Sequence, residues 1–135
     1  MKGFQPTNQQ TNQRTGNEGV HAQISSLEQV SQLLESLDSL KKEVRVKFKR
    51  LTQQEMLVFS AVYELQERGF IVDYPAVAQH LKLTEISIRD YTRKLIQKGI
   101  PILKSKENNK KITLSIAPEL KKIASLETIY QLREL

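Results

Sequence analysis

YPAVAQHLKLTEISIRDYTRKLIQKGIP, residues 74–101, reads as two short amphipathic helices and the tight turn that joins them. Asp73, just ahead, can cap the first helix by accepting from a first-turn amide. Pro75 suits a first turn, whose N–H groups lack intrahelical partners. Val77, Ala78 and Leu81 recur at helical spacing and face inward. Lys82-Leu83 makes the turn, and Thr84 caps the second helix, predicted over 84–98. Ile88, Tyr91, Leu95 and Ile96 form its apolar face. That leaves Glu85, Ser87, Arg89, Asp90, Arg93, Lys94 and Gln97 outward. Gly99 ends it and Pro101 prevents its resumption.

Reading outward in both directions supplies the rest of a domain. Upstream, Thr52-Gln53-Gln54-Glu55 is a capping box, in which hydroxyl and carboxylate each bind a backbone N–H of the new turn. The helix it opens runs to about Arg68, burying Met56, Phe59, Val62, Tyr63 and Leu65, and Gly69 stops it. Phe70–Val72 is a short apolar stretch. Downstream, Ile100–Leu103 reads as a strand and Lys104–Lys111 as a polar segment turning at Asn108-Asn109. Ile112, Leu114 and Ile116 alternate with Thr113 and Ser115 in a second strand, so the two form a hairpin. Pro118 opens a last helix over 118–135, with Leu120, Ile123, Leu126, Ile129, Tyr130 and Leu132 apolar.

Helix, helix, tight turn, helix, hairpin, helix is the order of a winged helix-turn-helix. Residues 52–116 resemble winged-helix transcriptional regulators of the MarR-like and archaeal type. The resemblance is carried by residues 74–101: Ala78 lets the helices cross closely, Leu83 plugs the turn, Ile88 and Leu95 anchor the second helix, and Gly99 ends it. It covers about half of the chain. The fold expected is mostly α with a small β-hairpin (α+β), a winged helix-turn-helix over 52–117 preceded by a long coiled-coil-like helix.

That leading helix is read from a heptad pattern. With Val20 at position a, the a and d positions to residue 51 are Val20, Gln23, Leu27, Val30, Leu34, Leu37, Lys41, Val44, Phe48 and Leu51. Such regularity over four heptads argues a coiled coil. The expected dimer seam comprises Leu27, Val30, Leu34, Leu37 and Val44, with the last helix a further candidate for dimer contacts. A single amphipathic helix folded onto its own domain is the alternative. Residues 44–50, VRVKFKR, also alternate as a strand would, although the heptad continues through them. Residues 1–19, rich in Gln, Asn, Thr and Gly, carry too few aliphatic side chains to order themselves and are expected to be a disordered arm.

The chain has 135 residues and a formal net charge of +6. Lys and Arg exceed Asp and Glu both before and after residue 52, so the excess is not confined to a tail. This balance favours a polyanionic partner. A major groove admits one helix, whose N-terminal half meets base edges. Helix 84–98 is therefore expected to present Thr84, Ser87, Arg89, Arg93 and Lys94 to double-stranded DNA. Arg89 and Arg93, four apart, share one face and can each bind guanine in a bidentate way. The wing at 104–111 would place Lys106, Asn108, Asn109, Lys110 and Lys111 on phosphates or in the minor groove. Charged helix faces and hairpin tips are also common simply because they are solvated.

There is no cysteine, the two histidines share no motif, and the five glycines build no phosphate-cradling loop, so no enzyme, metal site or cofactor is expected. Nothing in the sequence resembles a signal peptide or membrane span, which implies a cytoplasmic, nucleoid-associated protein. Three functions remain open: a homodimeric sequence-specific regulator, a winged-helix protein-docking module, and a nonspecific nucleic-acid coat. The heptad makes one of them testable in isolation. Leu34→Asp combined with Leu37→Asp should convert a dimer to a monomer in sedimentation, and a dimer that survives would place the interface elsewhere.

Overall fold

A computed structural model of the protein describes residues 16–107 and 111–135. In chain order the elements are α1 (Gly16–Lys49), α2 (Gln53–Glu67), β1 (Val72–Asp73), α3 (Tyr74–Leu81), α4 (Glu85–Gln97), β2 (Ile102–Glu107), β3 (Lys111–Ile116), α5 (Pro118–Ile123) and α6 (Leu126–Glu134). The architecture is α+β, with a small antiparallel sheet of order β1-β3-β2. Among the described residues no helix is long and apolar enough to cross a membrane.

The chain divides into two units between Asp38 and Ser39. The first contains α1 up to Asp38. Its helix begins at Gly16, so residues 16–19 are helical rather than part of a disordered arm. Extending an existing helix by a residue needs no new nucleus, which is why a weak sequence can join one. Residues 1–15 of the expected arm lie outside the described residues. Leu27, Val30, Leu34 and Leu37 are exposed, at 70%, 51%, 57% and 41%.

The second unit begins with the last turns of α1 and keeps a single core. Phe48 and Phe59 meet edge to face, with ring centroids 4.8 Å apart. Val58 and Val62 of α2, Ile88 and Leu95 of α4, Ile116 of β3 and Ile129 of α6 are fully buried around them. Val44, expected at the dimer seam, is also part of this core. The heptad pattern continues to residue 51, but from Val44 on its apolar positions are covered by the chain's own domain. The ambiguous stretch 44–50 is helical through Lys49 and turns at Arg50. Arg133 of α6 donates to the carbonyls of Phe48 (3.1 Å), which also accepts from the Leu51 amide at 3.2 Å, and of Leu51 (2.8 Å), tying α6 to the turn that follows α1.

The capping box forms as read. Thr52 Oγ1 accepts from the Glu55 amide at 3.2 Å, and Glu55 Oε1 accepts from the Thr52 amide at 2.8 Å. The same carboxylate oxygen receives Lys98 Nζ at 2.6 Å, tying the end of α4 to the start of α2. Burial alone would raise the Glu55 pKa, but the bonds from Lys98 and Thr52 outweigh it and hold the carboxyl below its ordinary value. Gly69 has φ +86° with open space around it, so the backbone angle alone calls for glycine there.

The structure corrects three other expectations. Val72 and Asp73 pair with Leu114 and Thr113, so the sheet has a third, two-residue strand before α3. The hairpin strands also differ from their expected limits. Ile100 is buried but precedes β2, which extends through Lys104 and Lys106 to Glu107, and β3 starts at Lys111. Much of the expected polar loop is therefore ladder. Lastly, the expected 118–135 helix is broken at Ala124-Ser125, where Ala124 is extended and Ser125 caps α6 by accepting from the Thr128 amide. The break lets Leu120 and Ile129 both enter the core. Neither Leu51 nor Ala117 marks a boundary of packing, since residues on both sides of each are buried together.

Thr92, on the inner face of α4, is fully buried, and its hydroxyl has no hydrogen-bond partner among the described residues. A buried donor without a partner costs free energy that an isosteric methyl avoids. Thr92→Val is expected to stabilise the protein by about 1 kcal/mol, read as a higher Tm by calorimetry. A lowered Tm would show that the hydroxyl is satisfied.

Candidate nucleic-acid interface

The turn between α3 and α4 depends on one left-handed residue. Lys82 has φ 58° and ψ 45°, and the amide of Leu83 bonds the Ala78 carbonyl at 2.9 Å. Ala78 is buried, which permits the close crossing that follows. Thr84 then caps α4, accepting from the Ser87 amide at 3.1 Å while its hydroxyl donates to Ser87 Oγ at 2.8 Å. Thr84 and Ser87, both expected at DNA, are thus engaged with each other at the helix start.

Ile88, Thr92 and Leu95 face the core and set the rotation of α4. Tyr91 is half-buried against them, but Ile96, expected on the inner face, is 37% exposed. On the outer face, Asp90 binds Arg93, and its other oxygen receives Lys94 Nζ at 3.1 Å. Arg93 first, and then Lys94, hold the Asp90 carboxyl below its ordinary pKa. Lys94 Nζ also lies 5.9 Å from the Tyr91 ring centroid. Arg89 sits over the ring of Tyr74, 5.2 Å from its centroid, in a cation–π contact that restricts the guanidinium.

The wing meets this helix across a groove. Tyr74, Arg89, Asp90, Arg93, Lys104 and Ile112 line one part of it. Asp73, Pro75, Glu85 and Lys111 join Tyr74, Arg89 and Ile112 in the neighbouring part. Lys111 Nζ is 3.0 Å from Asp73 Oδ2, while Asp73 Oδ1 accepts from the Ala76 amide at 2.8 Å. Burial would raise the Asp73 pKa; the Ala76 amide and Lys111 outweigh it, and the net direction is downward.

The structure brings Arg89 and Arg93 to one groove with Lys104, and places Lys111 beside Arg89. Lys94 is not among the residues lining either part of the groove, and Lys106 is exposed further along β2. Asn108, Asn109 and Lys110 lie outside the described residues. Sequence reading missed Tyr74 as a platform for Arg89. Its signal was a lone aromatic beside an N-cap, which resembles any core residue. Among the described residues, no group of three or more His, Cys, Asp or Glu comes together as a metal site.

No family model and no curated relative matches this sequence. Solved structures do. S. aureus MepR, in a complex with DNA, matches with 14% identity and a TM-score of 0.50, covering 82% of this chain and 83% of that one. The YusO protein from Bacillus subtilis matches with 16% identity over 90% and 79% of the two chains, TM-score 0.49. A MarR family protein from Bacillus stearothermophilus matches with 14% identity over 89% and 78%, TM-score 0.46. The likeness is one of fold: this chain has the winged-helix architecture that the sequence resemblance implied.

Asp73 couples the start of α3 to the wing, and two substitutions separate its roles. Asp73→Ala should lose both cap and ion pair and cost about 1–2 kcal/mol in urea unfolding. Asp73→Asn should keep the cap and lose much less. Equal losses would show that the Lys111 pair, not the cap, carries the effect.

Proposed function

We propose that this protein is a DNA-binding transcriptional regulator that acts as a homodimer. α4 enters the major groove, and the β2–β3 wing contacts phosphates or the minor groove. The observation that carries this reading is the convergence of Arg89, Arg93 and Lys104 on one groove between α4 and the wing, with Lys111 beside Arg89. Four cations from α4, β2 and β3, in two adjoining hollows that share Arg89, suit a phosphate-bordered groove better than solvent alone. The fold supports it too, since S. aureus MepR shares it and was solved on DNA.

Within this reading the roles divide by chemistry. Arg89 and Arg93 are the candidates for base edges, because a guanidinium can bind guanine O6 and N7 together. Lys104, Lys106 and Lys111 act as flexible charges on phosphates, with Asn108, Asn109 and Lys110 completing the wing tip. Thr84 and Ser87 brace the helix start, where either hydroxyl can also reach a phosphate. Lys94 contacts the backbone at the edge of the groove. Two copies, joined through the exposed Leu27, Val30, Leu34 and Leu37, would meet half-sites ~34 Å apart. A cytoplasmic, nucleoid-associated location and the absence of catalysis belong to the same reading.

Selection from a random duplex library at two salt concentrations, using the full chain, tests it. An enriched inverted repeat is the expected result. Binding without a motif, lost steeply with salt, would mean a nonspecific coat. No binding at either salt would mean a protein-docking module. On the selected site, Arg89→Ala and Arg93→Ala should each weaken binding by about tenfold with an unchanged Tm. Normal binding by both would show that another face reads the DNA.

A further inference from the structure

Ile86, in the first turn of α4, is 80% exposed, more than any other large hydrophobic side chain among the described residues. Nothing in the packing asks for it: the inner face of α4 is already supplied by Ile88, Thr92 and Leu95. Helix formation does not ask for it either, because a β-branched residue is a weaker helix former than Ala, Glu or Lys on an exposed surface. Helical spacing puts Arg89, Asp90 and Arg93 on its face, at three, four and seven residues further on. Ile86 therefore lies on the same outward face as Arg89 and Arg93, one turn ahead of Arg89 and outside the residues that line the groove, at the end of the helix nearest to base edges when such a helix enters DNA.

An aliphatic side chain at that place has nothing to offer a phosphate. The apolar group that a major groove displays is the C5-methyl of thymine. We infer that Ile86 is a specificity-determining residue that packs against a thymine methyl, beside the base pair met by Arg89. This rests on the DNA-binding reading of α4. It adds a requirement that the arginines do not impose. Arg89 and Arg93 select guanine by hydrogen bonds, whereas Ile86 selects thymine over cytosine by a methyl group that makes none.

Deoxyuridine differs from thymidine only by that methyl, so the contact can be removed from either side. The full chain and its Ile86→Ala variant are titrated against the selected duplex and against versions in which each thymine in turn is replaced by deoxyuridine. One thymine in each half-site should emerge at which deoxyuridine weakens the native chain by about fourfold, the value of burying one methyl. Ile86→Ala should bind both versions alike, at the weaker level, with Tm and salt slope unchanged. The inference is overturned if no thymine is methyl-sensitive, or if Ile86→Ala keeps the full penalty. A library that yields no motif would defeat the regulator reading and this role with it; a motif with no methyl-sensitive thymine would defeat this role alone.

Discussion

The burial of one stripe of α4 is the constraint on which the candidate site depends. Ile88, Thr92 and Leu95 are wholly excluded from solvent, and each residue along a helix turns the direction of its side chain by about 100°. Once those three point inward, Ile86, Arg89 and Arg93 have no choice but to point out. A slip of one residue would bury an arginine and expose Leu95, at a cost far beyond what the surface could recover. The rotation of the helix is thus set from behind, by packing, and the groove-facing chemistry is a consequence of it.

Rotation alone does not hold long side chains in place. Here the restraint comes from a second layer. The Tyr74 ring lies under Arg89, Asp90 takes Arg93 and Lys94, and Asp73 takes Lys111. These partners limit the rotamers of flexible cations before any ligand arrives, and lower the entropy to be lost on binding. They also place negative charge among the cations, since Asp73 and Asp90 line the same groove, so that a polyanion must compete with internal partners. Loosely matched partners gain less from that exchange than one whose geometry suits the guanidinium planes. Asp73 is notable for serving two elements at once, since the same carboxylate starts α3 and steadies β3.

Local chemistry made the centre of the fold legible. Thr52, Asp73 and Thr84 form the side-chain caps that their positions imply, and Gly69 and Gly99 have the positive φ that ends a helix. What escaped reading was decided by neighbours distant in sequence. Val72 and Asp73 are too few to show a period and become a strand because β3 lies alongside. Val44 fits a heptad, yet a heptad does not say whether the covering surface is another chain or the domain's own core. Ser125 was hidden inside an apolar period that runs through the break between α5 and α6. The site was legible as a set of charges, but not as pairs: Arg89 on Tyr74 and Lys111 on Asp73 join elements the sequence keeps apart. Ile86 was passed over because a division into inner and outer faces does not flag an apolar residue on the outer one.

The strand order β1-β3-β2 leaves β2 on the outside of the sheet. A strand in that position offers a ready row of amides and carbonyls to any other extended chain, and lysines along it are a common protection against such pairing. β2 carries a half-exposed Leu103 between Ile102 and Lys104, with Ser105 and Lys106 also in solvent. On that ground Lys104 and Lys106 have a role at this edge that is independent of any ligand. Their charge opposes the addition of a second strand to the open side of β2. Charge lost from the wing would surface as aggregation, and the basic character of this hairpin is partly a matter of remaining a solitary sheet.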